Sequence, residues 1–207
     1  MLQHIAAAFP SLTDQQRAQF EQMMALYPEW NDKINVISRK DIDNLEVNHI
    51  LHSLAIARFL RFAPGTKVLD IGTGGGFPGI PLAVMFPDVH FHLIDRIGKK
   101  LKVAADVAEK IGLKNVSFQH GDIGECHDRY DYVVSRAVMP QADLIKLIRK
   151  NVSSACRNAL PNGLITLKGG DLTDELRSLR SSEVVDISQY FPQPFFETKK
   201  IVYTPIV

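Results

Sequence analysis

Cysteine, long apolar runs and a net charge are what this sequence lacks. Among its 207 residues only Cys126 and Cys156 are cysteines, and no Cys-x-x-Cys or His-rich partner pattern accompanies them. Neither a disulfide framework nor a metal site is indicated. The longest apolar stretches, such as Gly79 to Phe86 with Pro81 inside it, fall far short of the roughly 20 residues that cross a bilayer. The N-terminus has no basic region ahead of the short Ile5–Phe9 run, and Asp14 and a Gln-rich stretch follow, which does not suit a signal peptide. A cytoplasmic protein with no membrane partner is expected. The 24 Lys and Arg are matched by 23 Asp and Glu, leaving a formal charge of +1, an excess too small for a simple polyanion binder. What is present is a globular composition, 45% hydrophobic and 23% charged, which excludes disorder throughout. A chain of this length buries one well-developed core with room for a helical extension.

The periodicity changes character near residue 65. Residues 1–64 are expected as an N-terminal helical extension packed on the core, and 65–207 as a single compact unit. Apolar residues at Leu12, Phe20, Met23, Met24 and Tyr27 mark an amphipathic helix that Thr13 and Gln16 open as a capping box. A second helix is expected over about 42–60, with Leu45, Ile50, Leu51, Leu54, Ile56 and Phe59 on its apolar face, until Pro64-Gly65 stops it. Beyond the boundary, β-rich runs at 67–71, 91–95, 116–119, 130–134 and 164–167 alternate with helical stretches near 79–86, 97–111 and 141–151. Such alternation predicts an α/β, Rossmann-like doubly wound sheet. Two further strands at about 184–190 and 199–203 stand too close together for a helical crossover, so an antiparallel hairpin around Phe191-Pro-Gln-Pro194 completes a mostly parallel seven-stranded sheet.

The stretch Asp70-Ile-Gly-Thr-Gly-Gly-Gly-Phe-Pro-Gly79 leaves the first strand and opens a helix. Gly74, Gly76 and Gly79 fit the GxGxxG of a dinucleotide site, which would make the chain a nicotinamide-dependent oxidoreductase. Asp70, Gly72, Gly74 and Gly76 fit instead the acidic-x-Gly-x-Gly-x-Gly of S-adenosylmethionine methyltransferases. That donor has no pyrophosphate but carries an amino acid moiety, whose ammonium group Asp70 is positioned to help hold. Asp95 ends the second strand, where a carboxylate accepts hydrogen bonds from both ribose hydroxyls. Asp122, ending the third, is placed to receive the adenine amino group while Ile123 packs beside the ring. The plainer reading of Asp70 and Asp122 is that they cap turns. Three acids at three successive strand ends favour the methyl donor.

Trp30-Asn31 with Asn35, His49-Ile-Leu-His-Ser53, Gly72-Thr-Gly-Gly-Gly-Phe-Pro-Gly-Ile-Pro81, Ser135-Arg-Ala137 and Leu167-Lys-Gly169 together carry a more specific resemblance, running from about residue 12 to the C-terminus. The chain resembles the bacterial ribosomal RNA small subunit methyltransferase G family, also called glucose-inhibited division protein B. The resemblance implies S-adenosylmethionine as cofactor and methylation of guanine N7 in the decoding-region hairpin of 16S rRNA, either as free RNA or within the small ribosomal subunit. Three positions depart from the family pattern. His52 stands where many members carry Asp, Phe77 replaces a common Leu while keeping an apolar wall beside the cofactor, and Gly121-Asp122-Ile123 replaces an Arg-Ala-Glu-like run.

Guanine N7 presents a lone pair, so its methylation needs no prior deprotonation and no dedicated general base. The chain accordingly has Ser135-Arg136-Ala137 at the end of the fourth strand rather than the Asn-Pro-Pro-Tyr type of element that serves amino-group methylation, and neither cysteine follows a proline as pyrimidine C5 attack prefers. Arg136 is a positioning candidate for the cofactor carboxylate or the target base through its fixed fork of donors. Lys168, following the fifth strand, and His49 are candidate RNA contacts. So are Arg96, Lys99, Lys100 and Lys102, a basic run without an acid, although such a run is commonly a solvated helix face. Lys146, Arg149, Lys150 and Arg157 add to the basic residues between Arg136 and Lys168. Trp30 and Asn31 read as locks between the extension and the core. A monomer is expected, and a non-catalytic rRNA-binding assembly factor is the remaining alternative.

Overall fold

The computed structural model describes residues 2–136 and 139–207. Seven strands form one sheet: β1 (Lys67–Ile71), β2 (His90–Asp95), β3 (Val116–His120), β4 (Tyr132–Arg136), β5 (Gly163–Gly169), β6 (Glu183–Asp186) and β7 (Lys199–Pro205). Their order is β3-β2-β1-β4-β5-β7-β6. The first five pair in parallel, while β7 runs antiparallel between β5 and β6. Because β2 and β4 lie on opposite sides of β1, the strand order reverses there, and the carboxyl ends of β1 and β4 frame a crevice of the kind that binds ligands in open α/β sheets. The four inner residues of β1 are buried, as expected of a parallel strand covered on both faces.

The chain begins with α1 (Gln3–Ala8) and α2 (Asp14–Asn31). The Thr13–Gln16 capping box is formed: Gln16 N–H donates to Thr13 Oγ1 at 3.2 Å and Thr13 N–H to Gln16 Oε1 at 3.0 Å. The apolar face of α2 buries Phe20, Met23 and Tyr27, each worth about 1.5–3 kcal/mol against exposure, in one cluster with sheet residues such as Phe91, Leu93 and Tyr132. The helix expected over 42–60 divides instead into a 3₁₀ turn (Ile42–Asn44), a π-helical turn (Leu45–Leu51) and α3 (His52–Phe59). Inside the π turn, Glu46 Oε1 accepts from the amides of His4 and Ile5 at 2.7 and 3.0 Å, closing the start of α1.

Between the strands lie α4 (Gly79–Met85), α5 (Gly98–Lys110) and α6 (Gln141–Ile148), and the short α7 (Thr173–Leu176) follows β5. The terminal hairpin is antiparallel, but β6 stops at Asp186 rather than near residue 190. Two 3₁₀ turns follow and bury Ile187 and Phe196. Phe191 and Phe196, with ring centroids 5.2 Å apart, draw this segment into the core and out of the ladder. Among the described residues no helix is long and apolar enough to cross a membrane, and no three His, Cys, Asp or Glu converge as a metal site would require.

Candidate active site

The glycine turn joins β1 to α4 and is held by backbone bonds within itself and to β2. Gly72 and Thr73 amides donate to the Ile94 carbonyl, and the Gly76 and Phe77 amides to the Thr73 carbonyl. Gly74 and Gly76 have φ values of 57° and 107°, a region that residues with a Cβ adopt at a cost. The two glycines differ in purpose. A Cβ on Gly74 would stand in open space with nothing within 4 Å, whereas one on Gly76 would lie 2.5 Å from Ile80 Cγ1. Gly79 is required by the turn itself, since a Cβ there would lie 2.7 Å from Asp70 Oδ2.

The three acids stand at the ends of the first three strands in three different states. Asp70 is wholly buried; its Oδ2 accepts from Thr73 Oγ1 at 2.6 Å and from the Gly79 amide at 2.8 Å. Its Oδ1 has no described partner. Burial outweighs the two hydrogen bonds and the nearby Arg136 and pushes the Asp70 pKa up to about 7. Asp95 ties the turn to α5: Oδ2 accepts from the Gly74 amide and Oδ1 from the Ile97 amide, both at 2.7 Å. Each oxygen keeps a further lone pair. The Asp122 carboxylate is more exposed, accepts from the Gly124 amide at 2.8 Å as an N-cap, and pairs with Arg96. Those two contacts hold its carboxyl below the usual range, the Gly124 bond first.

Asp95 and Asp122, but not the buried Asp70, line a cavity of about 310 Å³ together with Gly72, Arg96, Ile123 and Leu147 among others, within the range of small-molecule sites. Ile97 and Leu147 stand 50% and 39% exposed at its mouth, and sequence reasoning passed over both. Arg96, grouped above with the RNA candidates, lies at this cavity across from Asp122.

A second group collects around Phe77, which is buried rather than lining the cavity. The Arg136 guanidinium lies over the Phe77 ring, 5.1 Å from its centroid, and the His49 ring meets Phe77 edge-on at 5.5 Å. Both nitrogens of His49 are buried without a described partner. Burial, with Arg136 adding to it, lowers the His49 pKa to about 4, so the ring is neutral at physiological pH. Burial likewise lowers Arg136 to about 10, against the pull of Asp70, and leaves it charged. His52 packs edge-on against Phe195 and Phe196, and burial drives its pKa well below the ordinary value. Ala137, at the end of the Ser135-Arg136-Ala137 run, lies outside the described residues.

The remaining basic candidates separate sharply. Lys99 and Lys102 are exposed and Lys100 is half-buried near the start of α5. Lys168 is not a solvated residue: it is buried, donates to the Met139 carbonyl at 2.9 Å and pairs with Glu175 at 2.7 Å. That pairing with α7 commits its charge inside the fold. Lys150 and Arg157 also make internal contacts, to the Gly124 and Gly65 carbonyls.

A mostly parallel seven-stranded sheet with a reversed β7, carrying an acid and a glycine turn at the end of β1, defines the class of S-adenosylmethionine-dependent methyltransferases. Solved structures share this fold at low identity. A methyltransferase of that class from Aquifex aeolicus matches with a TM-score of 0.59 at 16% identity, over 83% of this chain and 100% of its own. A precorrin-6y C5,15-methyltransferase from Geobacter metallireducens matches with a TM-score of 0.56 at 15% identity, over 83% and 92%. The model of the family described as rRNA small subunit methyltransferase G matches residues 16–201. Proteins of that name are 57% identical in Parabacteroides distasonis, over 98% of this chain and 88% of the relative, and 58% identical in Bacteroides thetaiotaomicron, over 96% and 97%. The chain belongs to the ribosomal RNA small subunit methyltransferase G family. The nicotinamide reading of the same glycines is thereby set aside.

Proposed function

We propose that this chain methylates guanine N7 in 16S rRNA, in the decoding-region hairpin of the small ribosomal subunit, with S-adenosylmethionine as donor. The residues fit that donor on three counts. Among the described residues a buried carboxylate oxygen of Asp70 has no partner, a Cβ on Gly74 would stand in open space, and the cavity beside the turn has the Asp95 and Asp122 carboxylates in its lining. Asp70 would hold the ammonium end, Asp95 the ribose hydroxyls, and Ile123 with Asp122 the adenine, while Gly72 and Gly74 let the backbone approach and Gly76 keeps the turn packed on Ile80. Bound there, the cofactor supplies an electrophilic sulfonium methyl group.

The observation that carries N7 is the chemistry gathered at the end of β4. Arg136 is a charged donor fork, and the neutral His49 is the imidazole beside it. No step of N7 methylation calls for proton removal, and these residues position rather than deprotonate: Arg136 orients the cofactor carboxylate or the base, and His49 faces the same group. Holding two reactants aligned supplies several kcal/mol of the barrier without a general base. Cys126, buried against the Tyr130 hydroxyl at 3.6 Å, and the exposed Cys156 stand outside the cavity lining, which supports a reading without pyrimidine C5 attack. Lys99, Lys100 and Lys102 would meet RNA phosphates beside the site. The protein would act as a monomer on rRNA or on the subunit particle, with the target base turned out toward the donor.

Mass spectrometry of 16S rRNA from a strain lacking the gene tests this reading. One N7-methylguanosine is expected to vanish and to return with the gene. Retention of every such nucleoside overturns the reaction. Purified protein that binds rRNA normally but transfers no labelled methyl group would favour the assembly-factor alternative.

A further inference from the structure

We infer that Tyr27 is a positioning residue for the cofactor turn, and that the segment from Tyr27 to Val36 sets the shape of that turn from behind. The inference rests on the reading of the glycine turn as the S-adenosylmethionine site. Tyr27 sits near the end of α2, fully buried, and its hydroxyl donates to the Gly75 carbonyl at 2.7 Å across 48 positions of sequence. Among the described residues this is the one side-chain hydrogen bond received by a carbonyl of the 72–79 turn. The Gly76 amide of the same peptide plane donates to the Thr73 carbonyl at 2.9 Å. The plane is thus fixed at both ends, at its amide by the turn itself and at its carbonyl by the N-terminal helix. Burial pushes the phenol pKa upward, so Tyr27 remains a donor throughout the working pH range.

Neighbouring residues complete the backing. The Tyr27 ring packs on Phe77 with centroids 4.7 Å apart. Val36 presses against Gly75 so closely that a Cβ on the glycine would lie 2.9 Å from Val36 Cβ. Val36 is itself held by Asn31, whose Oδ1 accepts from the Val36 and Ile37 amides at 3.0 and 2.9 Å and whose Nδ2 donates to the Ile37 carbonyl at 2.9 Å. Trp30 anchors the same end of α2, its Nε1 donating to Asp106 Oδ2 on α5 at 2.7 Å. The Trp-Asn pair therefore has a task that neither RNA contact nor general packing describes: it fixes the helix end and the following loop that together hold Gly75.

A bond that served stability alone would be lost equally from free and bound protein, and cofactor affinity would not change. A bond that holds the turn in its binding shape shifts the dissociation constant. With Tyr27→Phe, calorimetric titration of S-adenosylhomocysteine should show affinity weakened about fivefold, the effect of one net hydrogen bond. The KM for S-adenosylmethionine should rise in proportion while kcat at saturation stays within about twofold. Gly75→Ala should weaken S-adenosylhomocysteine binding, and Val36→Gly in the same chain should restore it by removing the facing Cβ. Unchanged affinity in folded Tyr27→Phe protein overturns the inference, as does a Gly75→Ala loss that Val36→Gly leaves untouched. A native protein that binds no S-adenosylhomocysteine overturns the reading of the turn as the donor site, and the inference with it.

Discussion

Replacing Asp70 by asparagine separates the two demands on that side chain. Its pKa of about 7 in the fold stands against an ordinary 3.8, burial being the main cause. A carboxyl that holds its proton more tightly folded than unfolded makes the native state bind more protons between those values, so stability falls as pH rises through them. The contribution is complete below about pH 4 and gone above about pH 7. At about 1.4 kcal/mol for each pH unit, the loss across that window is on the order of 4 kcal/mol. Asparagine keeps an oxygen for Thr73 and Gly79 and sets an uncharged amide where Oδ1 lies unpartnered. The buried amide offsets about 1–2 kcal/mol of the gain. Urea unfolding of the ligand-free protein at pH 5, 6, 7 and 8 should then show Asp70→Asn more stable by about 2–3 kcal/mol at pH 8 and level with or below the native chain at pH 5. On the proposed reading the same variant should bind S-adenosylmethionine more weakly, since the carboxylate that would hold its ammonium group is gone. Parallel pH profiles for the two proteins would refute the reasoning.

Gly76→Ala combines positive φ with a Cβ 2.5 Å from Ile80 Cγ1 and should cost about 2–5 kcal/mol, read as a lower urea midpoint at unchanged slope. Lys168→Ala should cost about 2–3 kcal/mol by removing the ion-pair partner of Glu175, toward or below the low end for a buried pair because Glu175 is 26% exposed and keeps the Gln141 amide. In a filter-binding salt series it should leave the RNA salt slope unchanged. Lys99→Glu with Lys102→Glu should weaken RNA binding and flatten the log–log salt slope by about 0.7–0.9 for each phosphate no longer neutralised; an unchanged slope would return these lysines to a solvated helix face.

Local pattern made most of the fold legible. β1 was marked by its apolar run, α2 by its capping box, and the terminal hairpin by the shortness of its connection, because each signal lies within a few residues of what it determines. The π turn at Leu45–Leu51 was not legible, since Leu45, Ile50, Leu51 and Leu54 satisfy an ordinary helical face equally well. At the site, Asp70, Asp95 and Asp122 stood out because each lies at a strand end; Asp95 and Asp122 line the cavity, while Asp70 is buried behind the glycine turn. Their hydrogen bonds did not stand out, because most come from the backbone of Gly74, Gly79, Ile97 and Gly124. The burial of Lys168, a candidate RNA contact, was not legible because its partner Glu175 sits on a short helix that has no strong periodicity. Tyr27 was visible only as the last apolar residue of a helix face. A buried tyrosine hydroxyl needs an acceptor, but nothing in the sequence points to a carbonyl 48 positions away.

Near-neutral overall charge, which at first argues against a nucleic-acid partner, would on the proposed reading divide into acids around a cationic cofactor and lysines that meet RNA beside them. Reconstituted methyl transfer tests that account most directly. Purified protein, labelled S-adenosylmethionine and small ribosomal subunits or 16S rRNA are incubated, and the product is reduced with borohydride and cleaved with aniline, which breaks the chain at N7-methylguanosine. Label at one guanosine of the decoding-region hairpin with scission at that position is the predicted result. Label on an exocyclic amine, a pyrimidine or a ribose hydroxyl, or no transfer to either substrate, would contradict it.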